Sequence, residues 1–109
     1  MARVALLCPD LLFGSKVQGA LRAAGHEVVP VDEPVAAGDA DLLVVDLTVD
    51  ADERIAALRD AGDRPPTLAF YSHVEQDVRR RAEEAGADQV VPRSRMAREG
   101  PALVEALLR

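Results

Sequence analysis

The sequence contains one cysteine, Cys8, two histidines, no tryptophan and no asparagine, and only 3% of its residues are aromatic. A single thiol excludes an internal disulfide, and with two histidines it leaves no spacing that resembles a zinc site. So few rings exclude an aromatic platform for stacking nucleic-acid bases. Basic residues are short as well, 13 against 19 acidic, and a net charge of -6 removes the broad basic face that a phosphate backbone requires. Long apolar runs are also missing. The opening stretch MARVALLCPDLLFG has Arg3 as its only basic residue and meets Pro9 and Asp10 before it is long enough for a signal peptide or a membrane span. The expectation is a cytoplasmic protein with neither nucleic acid nor membrane as its partner.

What is present suits a packed core. Hydrophobic residues make up 49% and charged residues 29% of 109 positions, which predicts one domain over residues 1–109 that folds alone. Residues 4–8 are a continuous apolar run, as in a strand buried on both faces. Asp10 is placed to cap a helix over about residues 11–24, where Phe13, Val17, Leu21 and Ala24 mark the buried face and Gly25 the stop. Residues 27–31 read as a second strand, and Pro30, which lacks a ladder donor, argues for a sheet edge. The connector to the next strand has room for only a turn or two of a second helix, near residues 34–37. A third strand covers 41–46, and Ile55, Leu58 and Ala61 trace a third helix that ends at Gly62. A fourth strand covers 67–71; Val78, Ala82 and Ala85 mark a fourth helix stopped by Gly86; a fifth strand covers 89–91. Gly100-Pro101 is expected to open a fifth helix, because proline suits a first turn. On the fourth helix Glu75/Arg79, Asp77/Arg81, Arg79/Glu83 and Arg80/Glu84 stand four apart, the spacing of a solvated, ion-paired surface. Strands and helices that alternate in this way predict a three-layer α/β domain, a parallel sheet between helices.

In such a sheet ligands sit beyond the carboxyl ends of the strands. Those positions are Cys8, Pro9 and Asp10; Asp32; Asp46 and Leu47; Ser72 and His73; and Arg93, Ser94 and Arg95. The run Asp41-Leu42-Leu43-Val44-Val45-Asp46-Leu47, the stretch Ala85-Gly86-Ala87-Asp88-Gln89-Val90-Val91 and Ser72 together resemble the receiver domains of two-component response regulators, over nearly the whole chain. The resemblance implies a flavodoxin-like, doubly wound five-stranded sheet in the order 2-1-3-4-5, with a shortened second helix. It also implies that Asp46 stands at the phosphoacceptor position, that Ser72 is the hydroxyl beside the phosphoryl group, and that Arg93 replaces the family's lysine. Residues 10–17, 70–74 and 92–95 are further similar to a small group of receiver-like bacterial proteins, which implies a shared surface.

The chain departs from the family where the metal would bind. Receivers end their first strand in an acidic pair that holds Mg²⁺, and here those positions are Cys8 and Pro9; Asp10 follows one place late. Magnesium takes carboxylate and water oxygens, which a thiol and an imide ring do not supply. The expectation is therefore a stand-alone receiver-like signalling module that is not an enzyme, has no catalytic residue and no cofactor, and docks on a protein partner without ordinary phosphorylation of Asp46. Asp10, Ser72, His73, Arg93 and Ser94 would surround Asp46, with an Asp46–Arg93 ion pair in place of the metal. Plainer readings make His73 a cap or surface residue, Ser72 and Ser94 turn hydroxyls, and Cys8 a small buried hydrophobe. The rival functions are a true phosphoacceptor, with Mg²⁺ held by Asp46 and a rearranged Asp10, and a small-anion or nucleotide site built from Ser15, Lys16, Ser72, Arg93 and Arg95. A homodimer through the fourth helix, fifth strand and fifth helix is the expected self-contact.

Overall fold

The computed structural model describes residues 2–72 and 75–109. Five strands, β1 (Arg3–Leu7), β2 (Glu27–Pro30), β3 (Leu42–Asp46), β4 (Thr67–Tyr71) and β5 (Gln89–Pro92), pair in parallel in the order β2-β1-β3-β4-β5. Among the described residues three α-helices connect strands, α1 (Leu11–Ala23), α2 (Ala51–Asp60) and α3 (Gln76–Glu84), and a fourth, α4 (Arg93–Leu108), follows β5. The expected fold class and strand order are those observed. β2 is an edge strand, as Pro30 requires, and Pro30 stands opposite Leu6 with its ring exposed.

Alternation along each strand divides the core into two layers. Val4, Leu6, Leu42, Val44, Leu68, Phe70 and Val91 face α1 and α4, where Phe13, Val17, Leu21, Met96, Leu103 and Val104 cover them. Ala5, Leu7, Leu43, Val45, Ala69, Tyr71 and Val90 face the other way, onto Ile55 and Leu58 of α2 and Val78 and Ala82 of α3. The connector between β2 and β3 contributes one 3-10 turn, Pro34–Ala37, whose Pro34 and Ala37 are buried against the sheet. The second expected helix is thus a single turn.

The last helix differs more. It begins at Arg93, not at Gly100-Pro101, so Pro101 lies inside it. Proline interrupts a helix by removing one donor, and glycine weakens it, yet Met96, Gly100, Leu103 and Val104 form one continuous buried stripe at helical spacing. Gly100 packs against Met96, where even a Cβ at 100 would make ordinary contact with the Met96 methyl at 3.5 Å. Burial of Met96, 2% exposed, overrides the local breaker signal.

Two polar clamps hold the amino edge of the sheet. Arg64 donates through Nη1 to the Leu58 carbonyl at 3.1 Å, through Nη2 to the Ala85 carbonyl at 3.2 Å and through Nε to Thr67 Oγ1 at 3.2 Å, satisfying the ends of α2 and α3 together. Gly86, at φ 106°, provides the space, since a Cβ there would lie 2.5 Å from the guanidinium. His26 is buried; its Nδ1 accepts the Ala2 N–H at 3.2 Å, so Nε2 carries the proton it shares with Glu105 Oε1 at 2.7 Å. On α3, the pairs Arg79–Glu83, Arg80–Glu84 and Asp77–Arg81 form as spaced, while Glu75 stands ahead of the first helical turn. Among the described residues, no helix is long and apolar enough to cross a membrane.

Candidate functional site

β3 delivers Asp46 to the carboxyl edge of the sheet, but its side chain is sealed: the residue is 1% exposed. Oδ1 accepts from the Thr48 backbone N–H at 2.8 Å and from Thr48 Oγ1 at 2.5 Å. Oδ2 receives the Cys8 thiol at 3.6 Å. The Asp46-Leu47-Thr48 spacing explains the first pair, since an aspartate readily accepts from the backbone and side chain two residues on. Thr48 was not among the expected site residues, and that spacing is the one signal in the sequence that could have pointed to it.

Cys8 is not poised for reaction. Burial, followed by the negative charge of Asp46 and the hydrogen bond to it, pushes the thiol up to about 12. A thiol held so high stays protonated near neutral pH and serves as a donor; Cys8 is half-buried and hydrogen-bonded, not the buried small hydrophobe of the plainer reading.

Arg93 corrects the expected ion pair. Its guanidinium lies 4.1 Å from the centre of the Phe13 ring, and Nη2 is 3.4 Å from Asp10 Oδ2; it does not reach Asp46. The cause is the early start of α4. Arg93 occupies the first helical position, beside α1, where the Phe13 face and the Asp10 carboxylate attract a cation. Asp10 is committed in turn. Its Oδ1 caps α1 by accepting from the Leu12 and Phe13 amides, each at 3.1 Å, as the sequence predicts.

An open hollow of about 910 Å³ lies over this edge, bounded by Asp10, Phe13, Lys16, Thr48, Ser72, Glu75, Arg93 and Ser94. Ser72 and Ser94 therefore share one hollow with Asp10 and Arg93. Thr48, not Asp46, forms its floor on the β3 side. Ser15 and Arg95 do not line it, and Arg95 turns along its own helix to Glu99 at 3.5 Å. Asp32 borders a separate hollow of about 130 Å³ with Cys8 and Arg54. His73 lies outside the described residues. Of the residues expected to bind an anion, the fold thus brings together Lys16, Ser72 and Arg93.

The side chains do not fit Mg²⁺. Asp46 and Asp10 turn to different partners, the thiol between them stays protonated, and among the described residues no three His, Cys, Asp or Glu side chains converge in a way that could hold a metal ion.

No protein-family model matches the sequence, and no curated protein matches it. Solved structures do. The receiver domain of the TMAO respiratory system response regulator TorR is similar over 99% of this chain and 97% of its own, with a TM-score of 0.85 at 16% identity. A putative response regulator from Chloroflexus aurantiacus gives a TM-score of 0.83 at 17% identity, covering 98% of this chain and 97% of that one. A response regulator from Thermotoga maritima gives 0.78 at 16%, covering 99% and 98%. At such identities the similarity speaks for architecture alone: the chain has the flavodoxin-like fold of response-regulator receiver domains.

Proposed function

We propose that the chain is a receiver-like signalling module of the cytoplasm that acts by docking on a protein partner, independently of Mg²⁺-dependent phosphorylation of Asp46, and that it is not an enzyme. One observation carries the reading: both oxygens of Asp46 are engaged from within, by Thr48 and the protonated Cys8, and the Arg93 guanidinium is spent on Asp10 and Phe13. Aspartyl phosphorylation depends on positioning the acceptor and neutralising charge with a cation. Here the acceptor is buried, and the Asp10 carboxylate across the thiol is held by the α1 amides and Arg93. Incubation with acetyl phosphate and Mg²⁺, followed by intact mass measurement, tests it. The proposal expects no adduct on the wild type or on Asp46→Asn, and an adduct lost in Asp46→Asn would establish the phosphoacceptor reading instead.

A small-anion site is the second reading. The hollow joins Lys16 and Arg93 to the hydroxyls of Ser72 and Ser94, at the start of a helix whose first position follows Pro92, a residue without a capping side chain. Calorimetric titration with phosphate and with nucleotides decides it. Self-association through α3, β5 and α4 belongs to the docking reading, and sedimentation measures it.

A further inference from the structure

The edge strand β2 is covered on one face and open on the other. Val28 turns to α1 and is buried, whereas Val29, opposite Ala5, turns to the layer of α2 and α3 and is only half-buried, as is Val31 beyond the strand end. Over this corner the connector supplies one 3-10 turn where a crossover helix would lie, and Val35 in that turn is 63% exposed. The edge itself is shut. Glu27 and Val31 donate to the Ala2 and Leu6 carbonyls, which turns Val28 and Pro30 outward; the Val28 carbonyl accepts from Arg22 Nη2 at 3.3 Å, and Pro30 has no N–H to give. An added strand is blocked there, so what β2 leaves open is an apolar face.

The acidity of the chain gathers around that face. Residues 27–53 hold nine of the 19 acidic residues, none of the 13 basic ones and no histidine, so that elsewhere basic residues outnumber acidic ones by 13 to ten. Most of these acids have a use within the fold. Glu27, Asp39 and Asp41 hold Arg3, Asp52 pairs with Arg81, and Asp50 and Glu53 stand at the start of α2, where the helix end favours an anion. Asp32 and Glu33 have none. Both are exposed, their side chains make no ion pair or hydrogen bond among the described residues, and they lead directly into the turn that carries Val35. Arg54 borders a small hollow with Asp32, but its guanidinium donates to the Val49 carbonyl.

We infer that the face formed by β2 and the 3-10 turn after it is the docking surface for a basic amphipathic helix of a partner protein. Apolar side chains of that helix cover Val29, Val31 and Val35, and its lysines or arginines meet Asp32 and Glu33. This deepens the docking reading and rests on it. A second copy of the chain is a poor occupant: a two-fold contact through this face would set Glu33 against Glu33, and the arginines of α3 and α4 are answered by acids of their own helices, Asp77, Glu83, Glu84 and Glu99. A partner with basic flanks satisfies the valines and the carboxylates at once.

The test uses the whole isotope-labelled chain and two synthetic helices, one with leucines at every third and fourth position flanked by lysines, the other with glutamines in place of the lysines. The basic helix should bind and shift amides between Val29 and Ala37. Val35→Ser should weaken binding about tenfold, and Asp32→Asn combined with Glu33→Gln should remove the preference for the basic helix. Both variants should melt with the wild type, since these side chains are exposed. Equal binding of the two helices, binding of neither, shifts confined to another face, or a dimer of the chain that Val35→Ser disperses would overturn the inference. An aspartyl adduct in the phosphodonor experiment would remove the phosphorylation-independent reading and leave this surface standing, so the two failures are distinguishable.

Discussion

Replacing Asp46 by asparagine and by alanine separates its charge from its hydrogen bonds. Asparagine keeps an oxygen where Oδ1 accepts the Thr48 amide and hydroxyl, and sets an amide group toward the Cys8 sulfur. The two Thr48 bonds weaken from about 1.5–3 kcal/mol each with a charged acceptor to about 0.5–1.5 with a neutral one. Against that loss stands relief from burying a charge that makes no ion pair among the described residues, which costs several kcal/mol in a protein interior. These terms are of similar size and opposite sign, so Asp46→Asn should lie within about 1 kcal/mol of the wild type. Alanine loses both bonds and leaves the Thr48 N–H unanswered, a cost of about 2–4 kcal/mol. Urea denaturation gives the comparison directly, and thermal melting should show the alanine variant lower by roughly 4–8 °C per kcal/mol. An asparagine variant as damaged as the alanine variant would refute the reasoning, because it would mean that the native carboxylate has a cationic partner.

Further outcomes follow from the clamps and the thiol. Arg64→Ala should destabilise the fold by about 2–4 kcal/mol in urea, because it strips charged donors from the Leu58 and Ala85 carbonyls and from Thr67. His26→Leu should cost about 1–3 kcal/mol by leaving the Ala2 N–H unpaired, measured the same way. Cys8 should alkylate far more slowly in the folded than in the unfolded chain at pH 8, and Asp46→Asn should speed it by removing the charge that opposes the thiolate. The thiol rises from 9.0 to about 12 on folding, so the unfolded chain releases the proton first. Stability should then fall as pH climbs from about 9 toward 12, and Cys8→Ser should remove that part of the decline, as read by denaturation across this range.

The sheet was legible because its strands are short continuous apolar runs between turn residues, and Pro30 marked the edge. The start of α4 was not. Gly100-Pro101 is a strong local signal, whereas the packing of Met96 beneath Gly100 exists only once the sheet is assembled. The same error displaced Arg93: placed at a strand end it would approach Asp46, but as the first residue of a helix it stacks on Phe13, 80 positions away. Asp10 was readable as a cap because a cap is a local contact. His26 gave no signal, since its partner Glu105 lies 79 residues further along. The departure at Cys8 and Pro9 was visible in the sequence; the engagement of Asp46 by Thr48 needed geometry.

The most direct measurement is a Mg²⁺ titration of the isotope-labelled chain, following the Thr48 and Cys8 amides on either side of Asp46. The account predicts no saturable shift at millimolar Mg²⁺, with both amides behaving as in Asp46→Asn. A saturable shift at Thr48 that vanishes in Asp46→Asn would show the carboxylate leaving its internal partners for a cation, and would contradict the claim that Asp46 is engaged from within.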